Sequence, residues 1–198
     1  MLSKRTHSTL SAIVIFILWE ASFHLFDMKW YLLPPPSMIF NSMLDNAYLL
    51  FSSLATTLRI AFTALILSII ISFSLAIIFY LSKFAERSIM PITVTLQVTP
   101  IIAIAPLISI WVNSSELATL VCAFLVAFFP LLANTMSGLK GTEKNHLELV
   151  QLYGANKYQV LRYVVIPSAL PFFLSGLKVS SGLALIGAVV GEFVIGPI

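Results

Sequence analysis

The chain has 198 residues, of which 59% are apolar and only 10% charged, and its mean hydropathy is +1.01. A soluble domain carries nearer a quarter charged residues, so this composition excludes an ordinary soluble globule and points to an integral membrane protein. The net charge of +3 does not indicate nucleic acid, because the basic residues are scattered over the ends of apolar runs and no basic, aromatic-interleaved patch occurs. Cys122 stands alone, which rules out an intramolecular disulfide.

In chain order, Lys4 and Arg5 precede an apolar run over residues 10–26. No small-residue cleavage site follows and further spans do, so the run reads as a retained first helix with a cytoplasmic N-terminus. Glu20 and His24 interrupt it one turn apart, and two residues are too few to make a metal site; they are expected to face other helices or the outer interface. Trp30 and Tyr31 mark an aromatic interfacial belt, and Pro34, Pro35 and Pro36 force an extended outer loop. A second run, residues 54–81, is long enough to cross with tilt, and Arg59 near its outer end can snorkel.

Lys83, Glu86 and Arg87 then form a short cytoplasmic turn. The third run, residues 89–112, holds Pro91, Pro100 and Pro106 together with Thr93, Thr95, Gln97 and Thr99. Prolines free backbone carbonyls, and polar side chains in a span must face protein or water. Gln97, Thr99, Pro100 and Pro106 are therefore candidates for lining a translocation path, with a kinked packing helix as the alternative. Residues 113–116 make a tight outer turn, and a fourth run, residues 117–139, returns inward. The fifth run, residues 170–195, carries Lys178 and Glu192, which lie about 21 Å apart along a helix and cannot pair. Glu192, a carboxylate in the outer half of a span, is a further pathway, gate or partner-helix candidate. Gly187 and Gly191, four apart, allow close helix packing.

Between the fourth and fifth runs lies the only sizeable water-facing piece, residues 140–167. Asn145, with Glu148 three residues on, can cap a short helix that closes at Gly154. A second helix can start at Asn156 with Gln159 in the matching position, and Pro167 is expected to stop it. Leu149, Leu152 and Tyr153 share one face of the first short helix, while Glu143, Lys144 and Glu148 stay wet. An amphipathic helix this short needs something to dock against. The charge bias supports this threading: Lys4, Arg5, Lys83, Arg87, Lys140, Lys144, Lys157 and Arg162 fall on one side, and Lys29 alone lies in an opposite loop.

The spacing of that segment resembles the EAA loop of the membrane subunits of bacterial ABC importers: Glu, Ala, Ala, three residues, Gly, nine residues, Ile, one residue, Leu, Pro. Glu148, Gly154, Val164, Ile166 and Pro167 fall on it in register, with Leu149 and Val150 in place of the alanines. Further stretches resemble the nitrate, sulfonate and taurine branch of these permeases. They are WYLLPPPS at residues 30–37, TTLRIAF at 56–62, TPIIAIAPLISIW at 99–111, FFPLLANTMSGL at 128–139 and PSALPFFLSGLKV at 167–179. Members of that branch import small sulfonates, taurine, nitrate or bicarbonate, and close relatives are assigned to thiamine-pyrimidine precursors or riboflavin.

The resemblance implies an all-α polytopic bundle of the type I importer (MetI-like) permease fold, with a core over residues 52–198 and a coupling loop over 140–167. It implies that Glu148, Leu149, Val150, Leu152, Tyr153, Gly154, Ile166 and Pro167 receive the stroke of a cytoplasmic ABC ATPase. The implied partners are two ATPase subunits, a second permease copy and a periplasmic or lipid-anchored substrate-binding protein; the implied location is the bacterial inner membrane. Relatives place two spans after the loop, so the five runs here are expected to be five of six helices, whether through a fragment, a frame change or a five-span variant. No phosphate-cradling Gly-x-x-x-x-Gly-Lys-Ser/Thr loop and no convergent catalytic group occurs, and His7, His24 and His146 lie at different depths. No enzyme activity and no cofactor is therefore expected of this chain, and ATP is hydrolysed by a separate subunit. An ion-coupled secondary transporter or channel, with the proline-broken third run and Glu192 carrying the ion, is the alternative; it leaves the Glu148-to-Pro167 spacing unexplained.

Overall fold

Apolar runs separated by Gly, Pro and Asn become helices throughout the computed structural model, which describes residues 4–26 and 29–196 and holds no strand among them. The side chains of Lys4 and Arg5, and the chain end at Ile198, lie outside the described residues. Two compact units are distinguished, Met1–Leu54 and Ala55–Ile198.

The first unit contains α1 (Lys4–Leu25), α2 (Pro36–Asp45) and the first turns of α3 (Ala47–Leu81). Pro36 opens α2 at the position where a missing N–H costs nothing. The Glu20 carboxylate of α1 accepts the Ser37 backbone N–H at 3.1 Å and its hydroxyl at 2.7 Å. An acidic group thus sits at the positive end of α2.

The second unit holds the rest of α3, α4 (Lys83–Val98), α5 (Ile101–Val112), α6 (Ser115–Lys140), α7 (Lys144–Leu152), α8 (Lys157–Val160) and α9 (Ile166–Ile195). By length and composition three helices can cross a membrane: α3, α6 and the continuous helix Lys157–Ile195. The pair α4 and α5, bent by 107°, passes the same test together, and α1 contributes a shorter apolar stretch, Thr9–Leu25. The third apolar run is therefore not one straight span. Its break falls at Thr99 and Pro100 because a residue before proline is pushed out of the helical region; Thr99 has ψ 126.

The centre of this unit is α6, half of whose apolar window is buried. Lipid tails are as apolar as leucine, so close van der Waals contact and interhelical hydrogen bonds must hold the helices together. The seam with α9 uses both. A Cβ placed on Gly187 would sit 2.7 Å from the Ala123 Cα, and one on Gly191 would sit 2.9 Å from the Thr119 side chain. Ser180 of α9 donates to the Ala127 carbonyl at 2.7 Å; on another side of α6, Ser68 of α3 donates to the Phe124 carbonyl at 3.3 Å. The pairing of small residues expected from Gly187 and Gly191 is realised. On its other sides α6 meets Ile60, Ala61 and Ala64 of α3 and Ala105 and Ile108 of α5.

Two local expectations fail. Asn145 does not cap the short helix: α7 begins at Lys144 behind Glu143, so Asn145 lies within its first turn. Nor does Pro167 stop the second helix. A π-helical stretch, Leu161–Val165, joins α8 to α9, and Pro167 stands in the first turn of α9. Proline cannot donate to the carbonyl four residues back and its ring crowds that carbonyl; one wide turn relieves the conflict and lets the helix continue.

Candidate functional site

The water-facing segment is built from the end of α6. Lys140 in its last turn pairs with Glu86 in the first turn of α4. Gly141 ends the helix by donating to the Ser137 carbonyl at 2.9 Å, and buried Thr142 donates to the Leu139 carbonyl at 3.2 Å. The chain then enters α7. Gly154 closes it with φ 78, a left-handed conformation that a side chain would strain. Asn156 starts α8 with a full capping box: its side chain accepts the Gln159 N–H at 2.9 Å, and the Gln159 side chain accepts the Asn156 N–H at 2.8 Å.

The two faces of α7 differ. Leu147 and Val150, three residues apart, pack onto a core formed by Phe79 of α3, Leu132, Met136 and Leu139 of α6, and Val160 and Leu161. Leu149, Leu152 and Tyr153 face away, with relative exposures of 52%, 85% and 85%. Glu143, Lys144 and Glu148 are exposed. Of the residues singled out in the sequence, Glu148, Leu149, Leu152, Tyr153 and Gly154 thus lie on the open side or its turn, whereas Val150 is turned inward. Ile166 is half-buried against the same core and Pro167 is exposed just beyond the wide turn. Leu147 was missed; its i, i+3 spacing from Val150 was the available signal. Nothing local announced the Glu86–Lys140 pair, whose members are far apart in sequence.

A pocket of about 340 Å³ opens where α4 and α5 break. Gln97, Thr99 and Pro100 line it from the break, Phe129 and Pro130 from α6 and Leu183 from α9. No Lys, Arg, Asp or Glu is among its lining residues. Pro106 lies exposed on α5, outside the pocket. Glu192 is also elsewhere: its carboxylate accepts the Thr57 hydroxyl at 2.7 Å, tying α9 to α3. Arg59, expected to snorkel, pairs with Glu116 at 2.7 Å.

Residues 64–198 match the family described as binding-protein-dependent transport system inner membrane component. The chain is 36% identical over 186 residues to a formylaminopyrimidine transport permease protein of Halalkalibacterium halodurans, an alignment covering 93% of this chain and 74% of that protein. It is 37% identical over 114 residues to a riboflavin transport system permease protein of Chloroflexus aurantiacus, covering 58% and 42% respectively. A sulfonate transport permease protein of Bacillus subtilis, described as putative, is 32% identical over 111 residues, covering 56% and 40%. A helical bundle glued by small residues, a proline-broken helix beside a pocket and a short water-facing helix on the bundle's end are thus found in a chain that belongs to the family of binding-protein-dependent inner-membrane permeases of ABC importers.

Proposed function

We propose that this chain, paired with a second copy, forms the translocation path of an ABC importer and takes its drive through α7. The observation that carries this reading is the division of α7. Leu147 and Val150 root the helix in the core while Leu149, Leu152 and Tyr153 stand in water, an arrangement that stabilises nothing within the chain and suits a groove on a cytoplasmic ATPase. Closure of two ATPase subunits would push on this face. Because Leu147 and Val150 pack against a core to which α3, α6 and α9 all contribute, the push would reach the spans as a rigid-body movement and rock them between inward-open and outward-open states. Gly154 sets the angle between α7 and α8; Ile166 and Pro167 stand behind it at the start of α9, where the wide turn Leu161–Val165 lets the helix continue past the proline.

In this reading Gln97, Thr99 and Pro100 border the solute path, and a substrate-binding protein delivers the solute on the opposite side of the membrane from α7, with the N-terminus cytoplasmic. Glu192 holds α9 against Thr57 of α3 and acts by positioning those spans. The pocket carries an amide and a hydroxyl among apolar walls and no cation to neutralise a sulfonate or nitrate. That lining suits a small, largely neutral heteroaromatic solute, a thiamine-precursor-like compound, better than a bare anion.

Co-purification of the detergent-solubilised chain with candidate ATPase subunits tests the coupling reading, using a variant in which Glu148 and Gly154 are both replaced as the control. Binding that the double variant loses supports it. Equal binding by both would refute a coupling role for this segment.

A further inference from the structure

The ten-residue helix α2 plays no part in the reading above, yet it is amphipathic and almost wholly unpartnered. Ile39, Phe40, Met43 and Leu44 follow the i, i+1, i+4, i+5 spacing of one helix face and all are exposed. Ser37, Asn41 and Asp45, four apart, share the other face. None of the helix's residues is buried. The apolar face continues into a cleft of about 710 Å³, lined by Met38, Ile39 and Met43 of α2 with Leu49 and Leu50 of α3 and bordered by Trp30.

We infer that α2 lies in the membrane–water interface where α1 ends and α3 begins, with Ile39, Phe40, Met43 and Leu44 set into the acyl region of the bilayer. This rests on the reading of α1 and α3 as membrane helices and goes beyond it in assigning the bilayer surface as the partner of α2. Four observations favour lipid over a soluble protein. The helix is strung between two apolar helices, ten residues after α1 and one residue before α3, so it cannot leave the surface by any great distance. Trp30 and Tyr31, residue types that concentrate at headgroup depth, stand directly before it, and both are exposed. Between Lys29 and Arg59 the only charged residue is Asp45, on the polar face, so no ring of charge is offered to steer a soluble partner. Finally, the Glu20 carboxylate fastens the N-terminus of α2 to α1 through Ser37 and pairs a first-turn N–H that has no partner within the helix.

The test uses the full chain with Cys122→Ala and a single new cysteine, either Met43→Cys on the apolar face or Asn41→Cys on the polar face, each carrying an environment-sensitive fluorophore. The protein is reconstituted in phosphatidylethanolamine–phosphatidylglycerol vesicles. Quenching by a lipid bearing a nitroxide near the headgroup end of its acyl chain is compared with quenching by aqueous iodide. The expected result is a several-fold preference for the lipid quencher at position 43 and the reverse preference at position 41. Equal and ready iodide quenching at both positions would overturn the inference, leaving that face in water for a soluble protein. A third label, Ile66→Cys on the exposed surface of α3, separates this failure from a larger one: shielding there with iodide access at 43 overturns only the interfacial placement, whereas iodide access at 66 overturns the spanning reading of α3 and this inference with it.

Discussion

The seam between α6 and α9 and the open face of α7 treat size in opposite ways. In the seam, a glycine at 187 lets the Ala123 backbone come within the reach of a missing Cβ, and Ser180 reaches a carbonyl across the gap. On α7, Leu152 and Tyr153 are bulky, apolar and 85% exposed in a stretch rich in Lys, Glu, Asn and Gln. The lesson is that exposure of a large apolar side chain means different things in different solvents. Along α3 or α9 it is the ordinary face of a helix toward lipid; on α7, in a stretch rich in charged and amide residues, the proposed function makes it surface for a partner.

The largest break in this comparison should come from Gly187→Leu. Its Cβ alone would lie 2.7 Å from the Ala123 Cα, and backbone rather than a flexible side chain is in the way. The helices must part, at about 3 kcal/mol or more; a lower unfolding midpoint in detergent and loss of a monodisperse chromatographic peak are the expected signs. Gly182→Ala, in the same helix with open space around it, is the matched control and should leave the midpoint unchanged.

Gly154→Val should cost less and act elsewhere. Nothing lies within 4 Å of that position, so the penalty is the left-handed φ of 78, roughly 1–2 kcal/mol, confined to the turn. Membrane insertion and the unfolding midpoint of the bundle should persist while ATPase association falls. An unchanged association would detach the turn from coupling.

A third pair sharpens the contrast within α7 itself. Leu147→Ala removes a half-buried contact with the core and should loosen α7 by on the order of 1 kcal/mol, read as faster hydrogen exchange of its amides. Leu152→Ala removes an exposed side chain, so exchange should be unaffected and only partner binding should weaken. If both variants alter exchange equally, the two faces are not distinct.

The smallest effect is expected at Lys140→Gln, which breaks the pair with Glu86. Both groups are partly exposed, so the loss should stay within about 0.2–1 kcal/mol and shrink with added salt.

Much of the segment over residues 140–167 was legible in the sequence because its signals are local. Asn156 with Gln159 makes a capping box out of two residues, and Gly154 marks a left-handed turn by its lack of a side chain; both are present. Local signals failed in two places. Asn145 carries the capping signal, yet α7 begins one residue earlier, at Lys144 behind Glu143, which makes no side-chain cap. Pro167 reads as a helix stop in isolation, but the core packing of Leu161, Val165 and Ala169 rewards continuation, and a wide turn was the cheaper compromise. Gln97, Thr99, Pro100, Pro106 and Glu192 were all path candidates because polar groups and prolines are conspicuous in apolar runs. Which of them share a space depends on helix rotation, which composition does not encode: Gln97, Thr99 and Pro100 line one pocket, and Pro106 and Glu192 lie outside it.

By itself, then, the sequence determined that the helices of this protein are made for a bilayer, that the chain turns at Gly154 and that a helix starts at Asn156. These follow from transfer energies and from the backbone rules of Gly, Pro and Asn, which act over a few residues. The tertiary structure alone decided which face of each helix meets which neighbour: that α6 is central, that Glu86 meets Lys140 and Thr57 meets Glu192, and that Val150 turns inward while Leu152 does not. In a bilayer nearly every face of an apolar helix is tolerable, so the hydrophobic pattern loses its power to choose one, and close contact between small residues makes the choice.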